Sequence, residues 1–178
     1  VRQIAFFLEH RTVMDPTMSW NELSGRPESV PLDTLLPGAA GLPRALARQF
    51  ASMSPGRGAS QLNGLRLLTQ ARDAGLLVVP GTDKGVPGLS LPRELELYVN
   101  GGMTPLQAIQ AASIDSARAM RLDRESGTVE RGKRADFVLV DRDPLAAIRN
   151  IRATWVVSVQ GRLYRTDALW RAAGYSLR

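Results

Sequence analysis

The sequence contains no cysteine, which excludes disulfides, thiolate metal sites and a cysteine nucleophile together. Histidine occurs once, at His10, so a cage of several imidazoles around a metal cannot come from this chain alone. Long apolar runs are missing too. Nothing approaches the ~18 consecutive residues that span a bilayer, and no membrane partner is expected. Lysine is scarce, with Lys84 and Lys133 standing against 21 arginines. The formal charge of +6 would suit a nucleic-acid binder if its cations were clustered. They are instead spread along an Ala-rich chain and interleaved with acids, a pattern closer to coding bias than to a basic patch. No nucleic-acid partner is expected.

What is present is the composition of a globular chain, 44% hydrophobic and 22% charged over 178 residues, enough to bury a core. The opening VRQIAFFL, followed by Glu9, His10 and Arg11, lacks the charged start and cleavage site of a secretory signal. It reads as a chain that begins mid-structure, at the end of a helix with Ile4, Phe7 and Leu8 on its apolar face. Thr12-Val13-Met14 predicts a short strand, and Pro16 pushes Asp15 out of the helical region. Residues 19–43, rich in Pro and Gly, predict a long loop and a candidate active-site cover. A short helix is expected over 42–53, broken by 54–58. A clearer one covers 60–74, with Leu62, Leu65, Leu68 and Ala71 or Arg72 in helical spacing and Gly75 as its left-handed cap. Leu76 to Val79 is an unbroken apolar run, as in a strand buried on both faces. Strand, helical connection and strand make the crossover that joins parallel neighbours.

Two helices follow, one over 91–100 ending at Gly101-Gly102, the other opening on Thr104-Pro105-Leu106-Gln107. That tetrapeptide is a capping box with proline in the first helical turn. The second helix is expected to run to about Met120. Beyond it, 127–129, 135–140 and 155–164 read as strands, the last folded at Gln160-Gly161 in a tight turn, with a terminal helix over 168–173. The fold class is therefore α/β, with units expected at 1–122 and 123–178.

Gly81-Thr82-Asp83 follows the buried parallel strand, the edge where α/β barrels carry catalytic groups. A carboxylate there can hold a divalent metal and take a proton from water. A strand-end aspartate also caps turns, and the residue alone leaves both roles open.

The surrounding blocks resemble amidohydrolases of the imidazolonepropionase-like and Xaa-Pro dipeptidase-like branch. They are Gly81-Thr82-Asp83-Lys84-Gly85, Arg93-Glu94-Leu95-Glu96-Leu97, Gly102-Met103-Thr104-Pro105-Leu106-Gln107-Ala108 and Gly127-Thr128-Val129-Glu130-Arg131-Gly132-Lys133-Arg134-Ala135-Asp136. Asp141, Asp143-Pro144-Leu145 and Val159-Gln160-Gly161-Arg162 continue the series, and Thr12 to Thr17 extends it backwards. The resemblance implies the C-terminal part of a (β/α)8 barrel, its last two strands and helices, plus the C-terminal strands of a small β-sandwich. It implies hydrolysis of C–N bonds in an amide, dipeptide or cyclic amide. It also implies a divalent metal, zinc in most relatives, as one or two ions, and a small-molecule or peptide substrate. Asp83 matches the residue that binds metal and acts as general base. The remaining ligands, histidines and a carboxylated lysine, would lie outside this chain, on the same polypeptide or a separate one, and the isolated 178 residues are expected to be inactive.

His10 is expected on a helix end or the surface rather than at a strand mouth. Lys84 stands where relatives carry a small residue, and is a candidate cation for an acidic substrate group or a solvated neighbour of the mouth. Glu94 and Glu96 are expected on a helix face near the rim, paired or solvated. Asp136 should order a turn through backbone N–H groups, and Trp155, Trp170 and Tyr164 should pack the sandwich. Two other classes of function stay open at this point: a non-catalytic fragment or split subunit acting as an interaction module, and a basic nucleic-acid binder.

Overall fold

The computed structural model describes residues 2–51, 61–83 and 85–176, and the fold is α/β. Helix α1 (Arg2–Glu9) leads into strand β1 (Val13–Met14), which pairs in parallel with β2 (Leu77–Val78) through Val13 opposite Leu77 and Met14 opposite Val78. The Val79 N–H extends the ladder by donating to the Met14 carbonyl at 2.9 Å. A parallel pair cannot be closed by a hairpin, and the described residues between the strands carry four helices: α2 (Met18–Ser24), α3 (Leu32–Leu35), α4 (Arg44–Ala51) and α5 (Gln61–Asp73). Gly75, at φ +87°, reverses the chain after α5 in the left-handed conformation that a glycine adopts without strain.

After β2 come α6 (Ser90–Asn100), α7 (Pro105–Gln110), a single π turn (Ala111–Asp115) and α8 (Ser116–Ala119). The expected capping box is present. The Gln107 N–H donates to Thr104 Oγ1 at 3.2 Å, and the Thr104 N–H donates to Gln107 Oε1 at 2.8 Å. One core forms where α5, β2, α6 and α7 meet, around Leu68, Leu76, Val78, Leu95, Leu97 and Tyr98.

The loop expected over 19–43 is folded into short elements, α2, α3 and a 3-10 turn at Ala39–Gly41. They close a second core of Leu23, Leu36, Leu42, Phe50, Val86, Leu89 and Tyr175. The Asp33 carboxylate organises the bend there by accepting the Gly38 and Ala40 N–H groups at 2.9 and 3.1 Å. The predicted break at 54–58 lies outside the described residues.

Strands β3 (Phe137–Val140), β4 (Thr154–Val159) and β5 (Arg162–Arg165) form an antiparallel sheet in that order. The β4–β5 turn is the expected one, with Gln160 and Gly161 at φ 52° and 79°, and Asp136 Oδ1 accepts the Gln160 N–H at 2.6 Å. The strand expected at 127–129 is not formed. Gly127, at φ +93°, lies against Ile114 and Ala117 without room for a Cβ, and this contact takes the segment out of extended pairing. A 3-10 helix at Ile148–Ala153 and helix α9 (Thr166–Ala172) complete the chain. Trp155 and Tyr164 are exposed in this structure, and Trp170 packs on the second core with its ring 4.6 Å from that of Tyr175. These aromatics therefore do not fill the interior of the sheet unit as expected. On α1, Ile4 is buried while Phe7 and Leu8 are exposed.

Candidate functional site

The exits of β1 and β2 lie side by side at the C-terminal edge of the parallel pair. At the first exit stands Asp15, whose Oδ1 accepts the Thr17 N–H at 3.2 Å. Thr17 adopts the left-handed conformation, φ 43°, and offers no side-chain cap to α2. The cap comes from far away in sequence. Glu94 on α6, wholly buried, accepts the Met18 N–H at Oε1 (2.8 Å) and the Ser19 N–H at Oε2 (2.5 Å). Burial, the largest influence, pushes the Glu94 carboxyl above its ordinary range; the two N–H bonds oppose this, and the Asp15 charge adds to the rise. The expectation of a paired or solvated Glu94 on a rim face is corrected accordingly: its partners are backbone groups and no water reaches it.

One turn further along α6, the Tyr98 hydroxyl donates to the Val79 carbonyl at 2.8 Å, at the second exit. Burial first, and then the neighbouring Glu94 and Asp15 charges, push the phenol pKa up, so the hydroxyl remains a donor. Beyond Val79 the chain runs through Pro80 and Gly81. The Gly81 backbone is pressed against the Asp15 carboxylate so closely that a Cβ would overlap it. Thr82 and Asp83 follow in a turn closed by the Gly85 N–H to the Thr82 carbonyl at 2.7 Å. Asp83 has φ 44° and is exposed. No hydrogen bond or ion pair engages its carboxylate among the described residues. Lys84 lies outside the described residues.

The segment after Asp83 is held from three sides. The Val86 N–H donates to Ser90 Oγ at 2.8 Å, the Tyr175 hydroxyl donates to the Pro87 carbonyl at 2.7 Å, and the Trp170 ring covers Gly88 too closely for any side chain there. On the outer face of α6, Arg93 forms a two-toothed ion pair with Glu22, both contacts 2.6 Å, and a third contact to Glu96 at 3.0 Å. Glu96 also accepts Arg152 Nε at 2.6 Å, so it is paired, as expected. His10 sits at the end of α1, its ring stacked on Phe6 and its Nδ1 2.8 Å from the Phe6 carbonyl, away from the strand exits.

Asp15, Glu94 and Tyr98 were not legible as site residues. A hydrophilic first turn is the usual reading of Arg93-Glu94, and no signal in the sequence says otherwise, because Thr17 is itself a favourable capping type and only its left-handed backbone in the structure leaves α2 without a local cap. Among the described residues no three His, Asp or Glu side chains converge as a metal needs. Asp83 can therefore supply one hard oxygen donor, and the chain's described residues do not complete a site around it.

Residues 13–162 match the model of the amidohydrolase family. Over 73 residues the chain is 41% identical to an imidazolonepropionase of Geobacillus sp. (strain WCH70), a match covering 39% of this chain and 17% of that protein. Over 106 residues it is 35% identical to a 5-methylthioadenosine/S-adenosylhomocysteine deaminase of Moorella thermoacetica, covering 58% of this chain and 21% of that one. The solved structure of a Xaa-Pro dipeptidase with bound methionine in the active site superimposes with a TM-score of 0.69 at 24% identity, covering 93% of this chain and 37% of that chain. These matches span about a fifth of the curated relatives and under two-fifths of the dipeptidase structure.

Proposed function

The chain belongs to the amidohydrolase family, and from that premise we propose that it carries one carboxylate of a metal-dependent centre that hydrolyses a C–N bond. In this reading β1 and β2 are the last two strands of a (β/α)8 barrel, and β3 to β5 are strands of a small β-sandwich. The rest of the barrel comes from the same polypeptide or a second chain, together with the remaining ligands. The observation that carries the reading is Asp83 itself: an exposed carboxylate, unengaged by the described residues, on a turn beyond the C-terminal end of a parallel strand.

A divalent metal, zinc by family resemblance, would activate the attacking water when bound. Asp83 would contribute a carboxylate ligand to that metal, and would accept the proton of the water and return it to the leaving nitrogen. No N–H donor of the described residues engages either carboxylate oxygen, which leaves both available as ligand and base. Lys84, next in sequence, would meet an acidic group of a small-molecule or peptide substrate.

The test is Asp83→Asn in the full-length protein, assayed on the dipeptide Met-Pro, on imidazolonepropionate and on 5-methylthioadenosine, with metal content measured in the same samples. The amide keeps the volume and one oxygen but accepts no proton. Turnover should fall about 10²–10⁴-fold with a much smaller change in KM. Near-normal turnover at full metal content would reduce Asp83 to a turn-capping residue.

A further inference from the structure

We propose that Glu94 and Tyr98, one turn apart on α6, are positioning residues that aim the Asp83 carboxylate, an inference that rests on the catalytic reading of Asp83. The two side chains grip the two strand exits from a single helix. Glu94 holds the first two N–H groups of α2, which fixes the turn Asp15-Pro16-Thr17 at the end of β1. Tyr98 holds the carbonyl of Val79, four residues before Asp83. The exits are also locked to each other, because the Asp15 carboxylate fills the space in front of Gly81, two residues before Asp83. A shift at either grip therefore moves the base of the Asp83 turn.

The chemistry of Glu94 argues for a role beyond packing. A helix of seven residues can be capped locally by Ser, Thr, Asp or Asn at modest cost, and Thr17 is available in sequence. Thr17 is turned into the left-handed region instead, and a carboxylate with no solvent exposure takes over its task from 76 residues away. Burying such a group is expensive. An apolar side chain would fill the same volume at lower cost but could not tie α2 to α6.

The experiment uses the full-length protein loaded with cobalt(II), whose visible absorption reports ligand geometry independently of turnover. Glu94→Gln keeps the volume but sets an NH2 against one of the two N–H donors, and Tyr98→Phe removes only the hydroxyl. Glu94→Gln should lower kcat on the order of 10–10²-fold, the scale of a ~1 Å misplacement of a reacting group, with KM within about threefold. It should also shift the cobalt absorption. Tyr98→Phe should show the same spectral shift with a smaller loss of kcat. Leu68→Ala, in the same core but making neither bond, should lower Tm without shifting the spectrum. A folded variant with wild-type kcat and an unchanged cobalt spectrum would remove its residue from this role, and Tyr98→Phe decides the matter if Glu94→Gln does not fold. An inactive Asp83→Asn beside a wild-type-like Glu94→Gln overturns the positioning alone. An active, fully metallated Asp83→Asn overturns the reading of the site itself.

Discussion

Glu96 lies between two guanidinium groups, Arg93 at 3.0 Å and Arg152 at 2.6 Å, with most of its side chain out of water. Burial pushes its pKa up, but the bonds and charges of Arg152 and Arg93 outweigh that, and the carboxyl is held below its ordinary value. A depressed folded-state pKa gives stability that is fully present above the unfolded value and is lost as pH falls through the folded one. Glu96→Gln should therefore cost roughly 1.5–3 kcal/mol at neutral pH, and the difference from wild type should shrink once the pH drops below the ordinary carboxylate range. Urea melts of both proteins across a pH series check this, and a pH-independent difference would contradict it. Glu94, two positions earlier, points into the protein rather than along its rim, and the contrast explains what was readable at this scale. Asp83 is singled out as a candidate only by the resemblance of the blocks around it, and the pairing of Glu96 follows from charge alone. Glu94 depends on the absence of a local cap at Thr17, a negative feature that residue type and periodicity do not encode.

Elements with their own punctuation were legible, and those held by distant groups were not. Helix α7 begins with the reciprocal bonds of Thr104 and Gln107, all local, so four residues suffice to read it. Thr104→Ala should cost about 1 kcal/mol, measured as a fall in Tm, while Thr104→Ser should restore most of it. Helix α5 and the left-handed Gly75 after it were equally plain. By contrast, α2 and α3 have seven and four residues, too short for a 3.6-residue period to show against the prolines and glycines around them. Their stability comes from Glu94 and from burial of Leu23 and Leu36. The misread segment 127–129 fails for the opposite reason. Thr128 and Val129 favour extended backbone, but Gly127 is committed to a close approach on Ile114 and Ala117.

For the molecule as a whole, the parallel pairing of β1 with β2 was readable from apolar runs separated by a helical connection, while the aromatic packing was not, because Trp170 belongs by sequence to the sheet unit and by contact to the second core. With no convergence of three metal-binding side chains among the described residues, residues 1–178 alone should retain little zinc in equilibrium dialysis. Tight stoichiometric retention would show that the ligand set has been misassigned. The bond from Tyr175 to Pro87 joins positions 88 residues apart and bears on synthesis. A ribosome adding about 5–20 residues per second needs roughly 4–18 s to travel from one to the other. Through that interval the segment just past Asp83 lacks both the hydroxyl that restrains Pro87 and the indole that covers Gly88. The Asp83 turn is thus made early and set late, its restraint waiting on a segment that emerges long after it.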